Sequence, residues 1–368
     1  MDLNLGKIKS IGVFITSHGF GHATRTCAVL NEISKVQSFD FVIFSTLPQW
    51  FFSQNLNFKN FELVSIKTDV GLVQKTPFDH DLDQTFLELQ EFLSFKNSNF
   101  NKAFELSKEK KFDLIICDIS PLGIEVAIRL GIPSVLIENF TWDWIYQEFL
   151  EINSGWAEIV EKTSESYGKA NLHIQTKPFC SENIDSLKIP PISRPVLKNP
   201  YQIKKSLGCD QDSRLILLTT GGITTQFDFT PKLKIHSDYT FIVSGDFKEI
   251  IRDQNIISLP MNFHEHYPDI VNASSLVVGK VGYGTLSECW LTNTPLIGCY
   301  RDNFRESVVL RDFATKNLTH SEISIVDFER MNWIFEIQNI SQDIKPDNRH
   351  LHPNGACLAA AHIIRFMN

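Results

Sequence analysis

One stretch of the chain combines residue types suited to recognising a phosphorylated ligand. Val277-Val278-Gly279-Lys280-Val281-Gly282-Tyr283-Gly284-Thr285-Leu286-Ser287-Glu288 passes from a β-branched run through a glycine-rich turn into helix-compatible residues. Such a turn brings the unpaired N–H groups of a helix start up to an anion. Gly282 and Gly284 would let the backbone approach closely, the N–H groups near Tyr283 to Thr285 would face the ligand, and Lys280 would add a point charge. Glu288 sits one helical turn further in, where a carboxylate can accept hydrogen bonds from the vicinal hydroxyls of a ribose or a sugar. The plainer reading of a lone G-x-G is a turn followed by a solvated glutamate. The elements around it have to decide.

Positioning such a turn requires a sheet. Apolar β runs at 11–16, 39–45, 61–66, 114–117, 134–137 and 172–174 alternate with helical segments, the first entered through Ser17-His18-Gly19-Phe20-Gly21-His22. This alternation predicts a parallel, doubly wound sheet. Between 83 and 110 the apolar positions Phe86, Leu89, Phe92 and Leu93 fit a long helix or a helix pair. Ile189-Pro190-Pro191-Ile192-Ser193-Arg194-Pro195 is too proline-dense for a helix or a central strand. We therefore place an N-terminal domain at 1–188, a linker at 189–200 and a C-terminal domain at 201–368. The alternation resumes at 215–219, which runs into Gly221-Gly222, and continues at 240–243, 256–259, 276–278 and 296–299. Ligands of such sheets bind outside the carboxyl ends of the strands, so Gly221 and Gly222 join the 282–288 turn as candidates. A last helix is expected to start near Asn354, a good N-cap, and its return to the first domain is left open.

Composition narrows the classes. At 368 residues and 43% hydrophobic content the chain is long enough for two cores. A net charge of −8 gives no global attraction to nucleic acid, which is not expected as a partner, and peripheral membrane contact is left open. No apolar run is long enough for a transmembrane segment or a signal peptide. Seven cysteines without a C-x-x-C pair fit a reducing compartment, so a cytoplasmic protein is expected. Neither a clear D-x-D metal motif nor a His/Cys cluster at ligand spacing is found, so no metal and no cofactor are expected.

Two Rossmann-like doubly wound domains facing across a cleft, with a G-x-G-H turn in the first and a glycine turn plus glutamate in the second, resemble the GT-B glycosyltransferases. In more detail, Gly19-Phe20-Gly21-His22-Ala23-Thr24-Arg25, Asp69-Val70-Gly71-Leu72-Val73-Gln74, Glu138-Asn139-Phe140-Thr141-Trp142-Asp143-Trp144-Ile145-Tyr146, the 279–288 turn and Arg301-Asp302-Asn303-Phe304-Arg305-Glu306 resemble the glycosyltransferase-like N-terminal domain of plant-type L-arabinokinases. The motifs fall in order over most of the chain. No glycine/serine-rich phosphate loop of the sugar-kinase type is found, so kinase activity is not expected. The resemblance implies an α/β, GT-B fold. It also implies metal-independent transfer of a sugar from a nucleotide-diphosphate sugar, with UDP as the expected carrier, to an acceptor hydroxyl or other nucleophile that the sequence does not identify.

The same resemblance carries roles onto matching positions. His22, closing the first glycine turn, would take the acceptor's proton, and Asp118, ending Leu114-Ile115-Ile116-Cys117-Asp118, would orient it. An imidazole titrates near physiological pH, and a carboxylate behind it stabilises the imidazolium. His18 competes with His22 for this role. On the donor side stand Gly21, Gly221, Gly222, Lys280, Gly282, Tyr283, Gly284, Thr285 and Glu288, with Asp302 and Glu306 where sugar hydroxyls are read. Asp69, Gln74, Asn139, Trp142 and Asp143 are acceptor-side candidates, and Trp142, Trp144 and Tyr146 would form an aromatic wall. Helix capping, core packing and solvation are the plainer readings of these residues. Two other function classes stay open. A nucleotide-sugar hydrolase of the pseudaminate pathway type shares the G-x-G-H-x-x-R turn, with His22 activating water; a non-catalytic nucleotide-sugar-binding module would use the donor site alone.

Overall fold

A computed structural model describes residues 9–75, 80–219, 227–342 and 352–368. The chain divides into two compact units. One comprises Met1–His18, Arg25–Ile192 and Gly355–Asn368, the other Gly19–Thr24 and Ser193–Asn354.

In the first unit, β1 (Lys9–Ile15), β2 (Phe39–Phe44), β3 (Phe61–Val64), β4 (Leu114–Asp118), β5 (Ser134–Glu138), β6 (Leu172–Thr176) and β7 (Leu187–Ile189) form one sheet in the order β3-β2-β1-β4-β5-β6-β7. Every pairing is parallel. Parallel neighbours need crossover connections that cover both faces, which is why β4 and β5 are buried at every position and apolar through 114–117 and 135–137. The strand order reverses between β1 and β4, so residues 16–20 and 118–121 flank the crevice where such sheets take ligands. The 83–110 region is a helix pair, Leu82–Phe92 and Ser98–Lys110. Phe95 turns left-handed between them and Asn97 caps the second by accepting from the Phe100 N–H. The final helix, Gly355–Met367, belongs to this unit. A Cβ on Gly355 would stand 2.1 Å from the Pro190 carbonyl oxygen, and the Gly355 N–H donates to Pro191 O, so the helix enters tightly against 190–191.

The second unit contains β8 (Leu215–Thr219), β9 (Thr240–Gly245), β10 (Ile251–Asp253), β11 (Ile256–Pro260), β12 (Leu276–Lys280), β13 (Leu296–Cys299) and β14 (His320–Ile323), ordered β10-β11-β9-β8-β12-β13-β14. All pairs are parallel except β10 with β11. Alternate residues serve opposite faces: Leu215, Leu217 and Val277 enter one core, and Ile216, Leu218, Leu276 and Val278 the other. The order reverses between β8 and β12, which places the 281–284 turn at the switch point.

Residues 190–199 carry no regular element, yet the later part is held firmly within the second unit. The Asn354 side chain accepts from Ser193 N–H and donates to Ser193 O. His266 Nε2 donates to Pro195 O at 3.0 Å, Asp269 accepts from Leu197 N–H at 2.7 Å, and Glu265 pairs with Lys198. Among the described residues no helix is long and apolar enough to cross a membrane. All seven cysteines are free thiols.

Candidate functional site

β12 delivers the glycine turn through a glycine at its next-to-last position. Gly279 has φ of +140°, and a Cβ there would stand 1.9 Å from Thr219 O on β8, so only glycine fits. Lys280 ends the strand opposite Cys299, and Gly282 begins the Tyr283–Thr292 helix from an extended conformation with no side-chain cap. The first N–H groups of that helix have no intrahelical acceptor. Among the described residues a Cβ on Gly282 would meet nothing within 4 Å. Gly284 differs from expectation. Its Cβ would lie 3.3 Å from the Gly21 Cα and 3.4 Å from Thr24 Oγ1, so Gly284 and Gly21 allow two helix starts to pack directly. Tyr283 and Thr285 are both buried.

Glu288, only 3% exposed, points from the second turn of this helix to a partner the sequence reading left without a role. Arg194, 5% exposed, donates from Nε and from a terminal guanidinium nitrogen, both to Glu288 Oε1. The lone pairs of that oxygen are thereby occupied, and Oε2 takes no part in either contact. His266 is kept neutral beside them: burial, then the positive charge of Arg194, lowers its pKa to about 3. Its donation to Pro195 O fixes the proton on Nε2. The signal for Arg194 was present, since an arginine in a proline-rich apolar run needs an anionic partner.

A second charged group gathers at the ends of β12 and β13. Lys280 is 9% exposed, and burial, reinforced by Arg301, brings its pKa down to about 7 while Glu306 pulls the other way. It is therefore not the permanent point charge expected from sequence. Burial lowers the pKa of Arg301 too, with Glu306 opposing, and its guanidinium lies over the Phe304 ring at 3.9 Å. Glu306 is buried at the start of the Glu306–Asn317 helix, whereas Asp302 is exposed. Gly221 and Gly222 lie outside the described residues.

The first unit holds its candidates in two buried networks. Arg25, 1% exposed, donates from Nε and a terminal nitrogen to the two oxygens of Asp118, at 2.7 and 2.6 Å. Thr26 Oγ1 donates to Asp118 at 2.9 Å, and Asn139 Oδ1 accepts from Arg25. Asn139 thus ties β5 to the Phe20–Ser34 helix, a structural task besides the acceptor role expected of it. In the second network His18 Nε2 lies 3.0 Å from both the Leu72 N–H, from which a bare nitrogen accepts, and Val70 O, to which a protonated nitrogen donates, so either tautomer ties the ring to the 70–72 loop. Gly71 has φ of +60° and a Cβ there would overlap the His18 ring at 1.9 Å. Trp142 Nε1 donates to Asp69 at 2.8 Å and Tyr146 OH donates to Gly71 O at 3.0 Å.

The aromatic wall is thereby corrected. Trp142, 2% exposed, stacks on Tyr146 and meets His18 edge-on, so both rings brace the 69–72 loop, and Trp144 alone of the three keeps partial exposure. Asp143 beside it is mostly buried, which pushes its pKa up, and its Oδ1 has no hydrogen-bond partner among the described residues. Gln74 is exposed and bridges to His80. His22 is the third residue of the Phe20–Ser34 helix and is buried; 19–24 group with the second unit, so that unit holds Gly21, His22, Arg194, Lys280, 282–288, Asp302 and Glu306. His18, Asp69, Gln74, Asp118, Asn139, Trp142 and Asp143 belong to the first. Among the described residues no group of three or more His, Cys, Asp or Glu side chains is placed to hold a metal ion.

No family model matches the chain. In sequence it is 26% identical over 304 residues to the L-arabinokinase of Arabidopsis thaliana, covering 81% of this chain and 29% of that protein. The chain thus spans less than a third of the curated relative it matches. Among solved structures it is similar to a UDP-glucosyltransferase from Polygonum tinctorium, in complex with 3,4-dichloroaniline, with a TM-score of 0.63, 11% identity and 99% of both chains covered. CalG4, the calicheamicin glycosyltransferase, gives a TM-score of 0.64 at 12% identity over 98% of both chains. Arabidopsis thaliana UGT89C1, complexed with UDP, gives 0.60 at 11% identity over 98% of this chain and 99% of that one.

Proposed function

On the GT-B fold that this chain has, we propose a glycosyltransferase that moves a sugar from a nucleoside-diphosphate sugar, with uridine as the base, to an acceptor hydroxyl without a metal ion. The observation that carries this reading is the β12 turn: an open helix start at Gly282 followed by a buried Glu288 whose Oε1 is fixed by Arg194. A diphosphate seated on the helix N–H groups would place its ribose hydroxyls near Glu288 Oε2. Displacement at the anomeric carbon builds negative charge on the leaving diphosphate, which the helix start, Lys280 and Arg301 would stabilise. Tyr283 and Thr285 contribute backbone to that cradle, and Glu306 and Asp302 would accept from the donor's sugar hydroxyls.

His22 is the proposed base, supported by what His18 already does. His18 Nε2 is bonded to the 70–72 loop, through Leu72 N–H or Val70 O, so a change of its protonation state would exchange one structural bond for another. Asp118, proposed from the resemblance as the residue that orients the base, has its two oxygens held by Arg25 and Thr26. Asp69, Gln74 and Asp143 remain the proposed acceptor-side groups. UDP as the carrier is favoured by UGT89C1, complexed with UDP, and by the UDP-glucosyltransferase among the similar structures.

The test is turnover in chelator, with a panel of UDP-sugars and of hydroxyl-bearing acceptors, followed by mass spectrometry. UDP and a glycosylated acceptor in equal amounts are expected. Free sugar released without any acceptor would replace this reading with nucleotide-sugar hydrolysis, and bound donor without turnover across the panel would replace it with a binding module.

A further inference from the structure

The Arg194–Glu288 pair joins two parts of the chain that the proposed donor site does not otherwise connect. Arg194 lies in the irregular 190–199 segment, and Glu288 lies on the Tyr283–Thr292 helix. Both are more than nine-tenths buried, and both guanidinium contacts converge on one carboxylate oxygen. A glutamate has three side-chain torsions, and a free carboxylate would sample several orientations. Two charge-assisted bonds from a planar fork remove that freedom. Arg194 is itself held: Ser193 is gripped on both sides by the Asn354 side chain, and Pro195 O accepts from His266. Asp269 and Glu265 fix Leu197 and Lys198 further on.

We infer that Arg194 is a positioning residue which fixes the Glu288 carboxylate so that Oε2 is the acceptor for ribose hydroxyls, making the site selective for ribonucleoside over 2′-deoxyribonucleoside diphosphates. This rests on the donor-site reading above and adds to it a residue and a specificity. The selectivity follows from counting lone pairs. Oε1 is saturated by Arg194, so Oε2 is left with its lone pairs for the sugar, and a ligand lacking the 2′-hydroxyl leaves a buried, charged acceptor short of a partner. Discrimination against a missing hydroxyl is strong where the site was built to bond it.

The experiment titrates UDP, 2′-deoxy-UDP and inorganic pyrophosphate into the parent chain, Arg194→Lys and Arg194→Met, with thermal melting to confirm that each is folded. The parent should prefer UDP over 2′-deoxy-UDP on the order of tenfold or more, the scale of a hydrogen bond to a charged group. Arg194→Lys keeps the positive charge beside the carboxylate but loses the fork, so the ratio should fall toward one while pyrophosphate affinity stays within about twofold. Arg194→Met should remove the preference entirely, and if it does not fold, the lysine variant carries the test. An unchanged ratio in Arg194→Lys, or an equal loss for all three ligands, overturns the positioning role. A parent that binds UDP and 2′-deoxy-UDP alike overturns it too, by removing Glu288 from the ribose. A folded parent that binds none of the three probes instead fails the donor-site reading, and this inference with it.

Discussion

At the scale of single residues, groups proposed to do chemistry differ in their expected effects from groups that hold them. His22→Ala should lower turnover on the order of a hundred to ten thousand fold with donor affinity little changed, because a general base acts on the acceptor. His18→Ala should weaken acceptor binding through the loosened 69–72 loop, with a smaller effect on turnover at saturating acceptor. Steady-state kinetics of the two variants distinguishes these outcomes, and turnover abolished by His18→Ala but kept in His22→Ala would exchange the assignments. Asp118→Asn belongs to a different category. It leaves the buried Arg25 without its counter-charge, so a loss of about 3 to 5 kcal/mol in stability is expected in urea unfolding. A variant as stable as the parent would show that Arg25 finds another partner.

At the scale of elements the β12 turn gives a contrast between glycines. Gly279→Ala forces a Cβ into Thr219 O at a left-handed φ and should cost at least about 1 to 3 kcal/mol. Gly282→Ala meets no described residue within 4 Å and starts from an extended backbone, so stability should stay within about 0.5 kcal/mol while donor affinity falls. Thermal melting paired with UDP titration reads both, and a Gly282→Ala variant with full affinity would move the ligand away from this helix start. The central strands were legible in sequence because parallel strands buried on both faces are continuous apolar runs. β7, β10 and β14 were not: β7 has three residues after a turn, β10 is exposed throughout, and β14 reads His-Ser-Glu-Ile. Edge strands bury little and leave little apolar signal. The glycine turn and Glu288 were readable from local spacing, but Arg194 lies 94 positions from Glu288. Arg25 closes the G-x-G-H-x-x-R motif, yet its partner Asp118 is 93 positions away. Pairings of that span are set by sheet order, which no local pattern encodes.

At the scale of the whole molecule, charge and ligand binding are linked through Lys280. Its pKa of about 7 in the free protein would be raised by a bound diphosphate. Affinity for a UDP-sugar should therefore be full below about pH 7 and fall as pH rises beyond it, by up to about tenfold per unit, until the raised pKa of the complex is passed. Lys280→Met should bind more weakly at low pH and show a flat profile; a parent profile that is itself flat from about pH 6 to pH 9 would place the diphosphate elsewhere. The central claim is that a nucleoside diphosphate sits on the 282–288 turn with its ribose on Glu288. Isothermal titration of UDP into the parent and into Glu288→Gln, both shown to be folded, tests it most directly. The account predicts saturable binding by the parent and a loss of about 1.5 to 3 kcal/mol in the variant; equal affinity in the two proteins, or no binding by the folded parent, would contradict it.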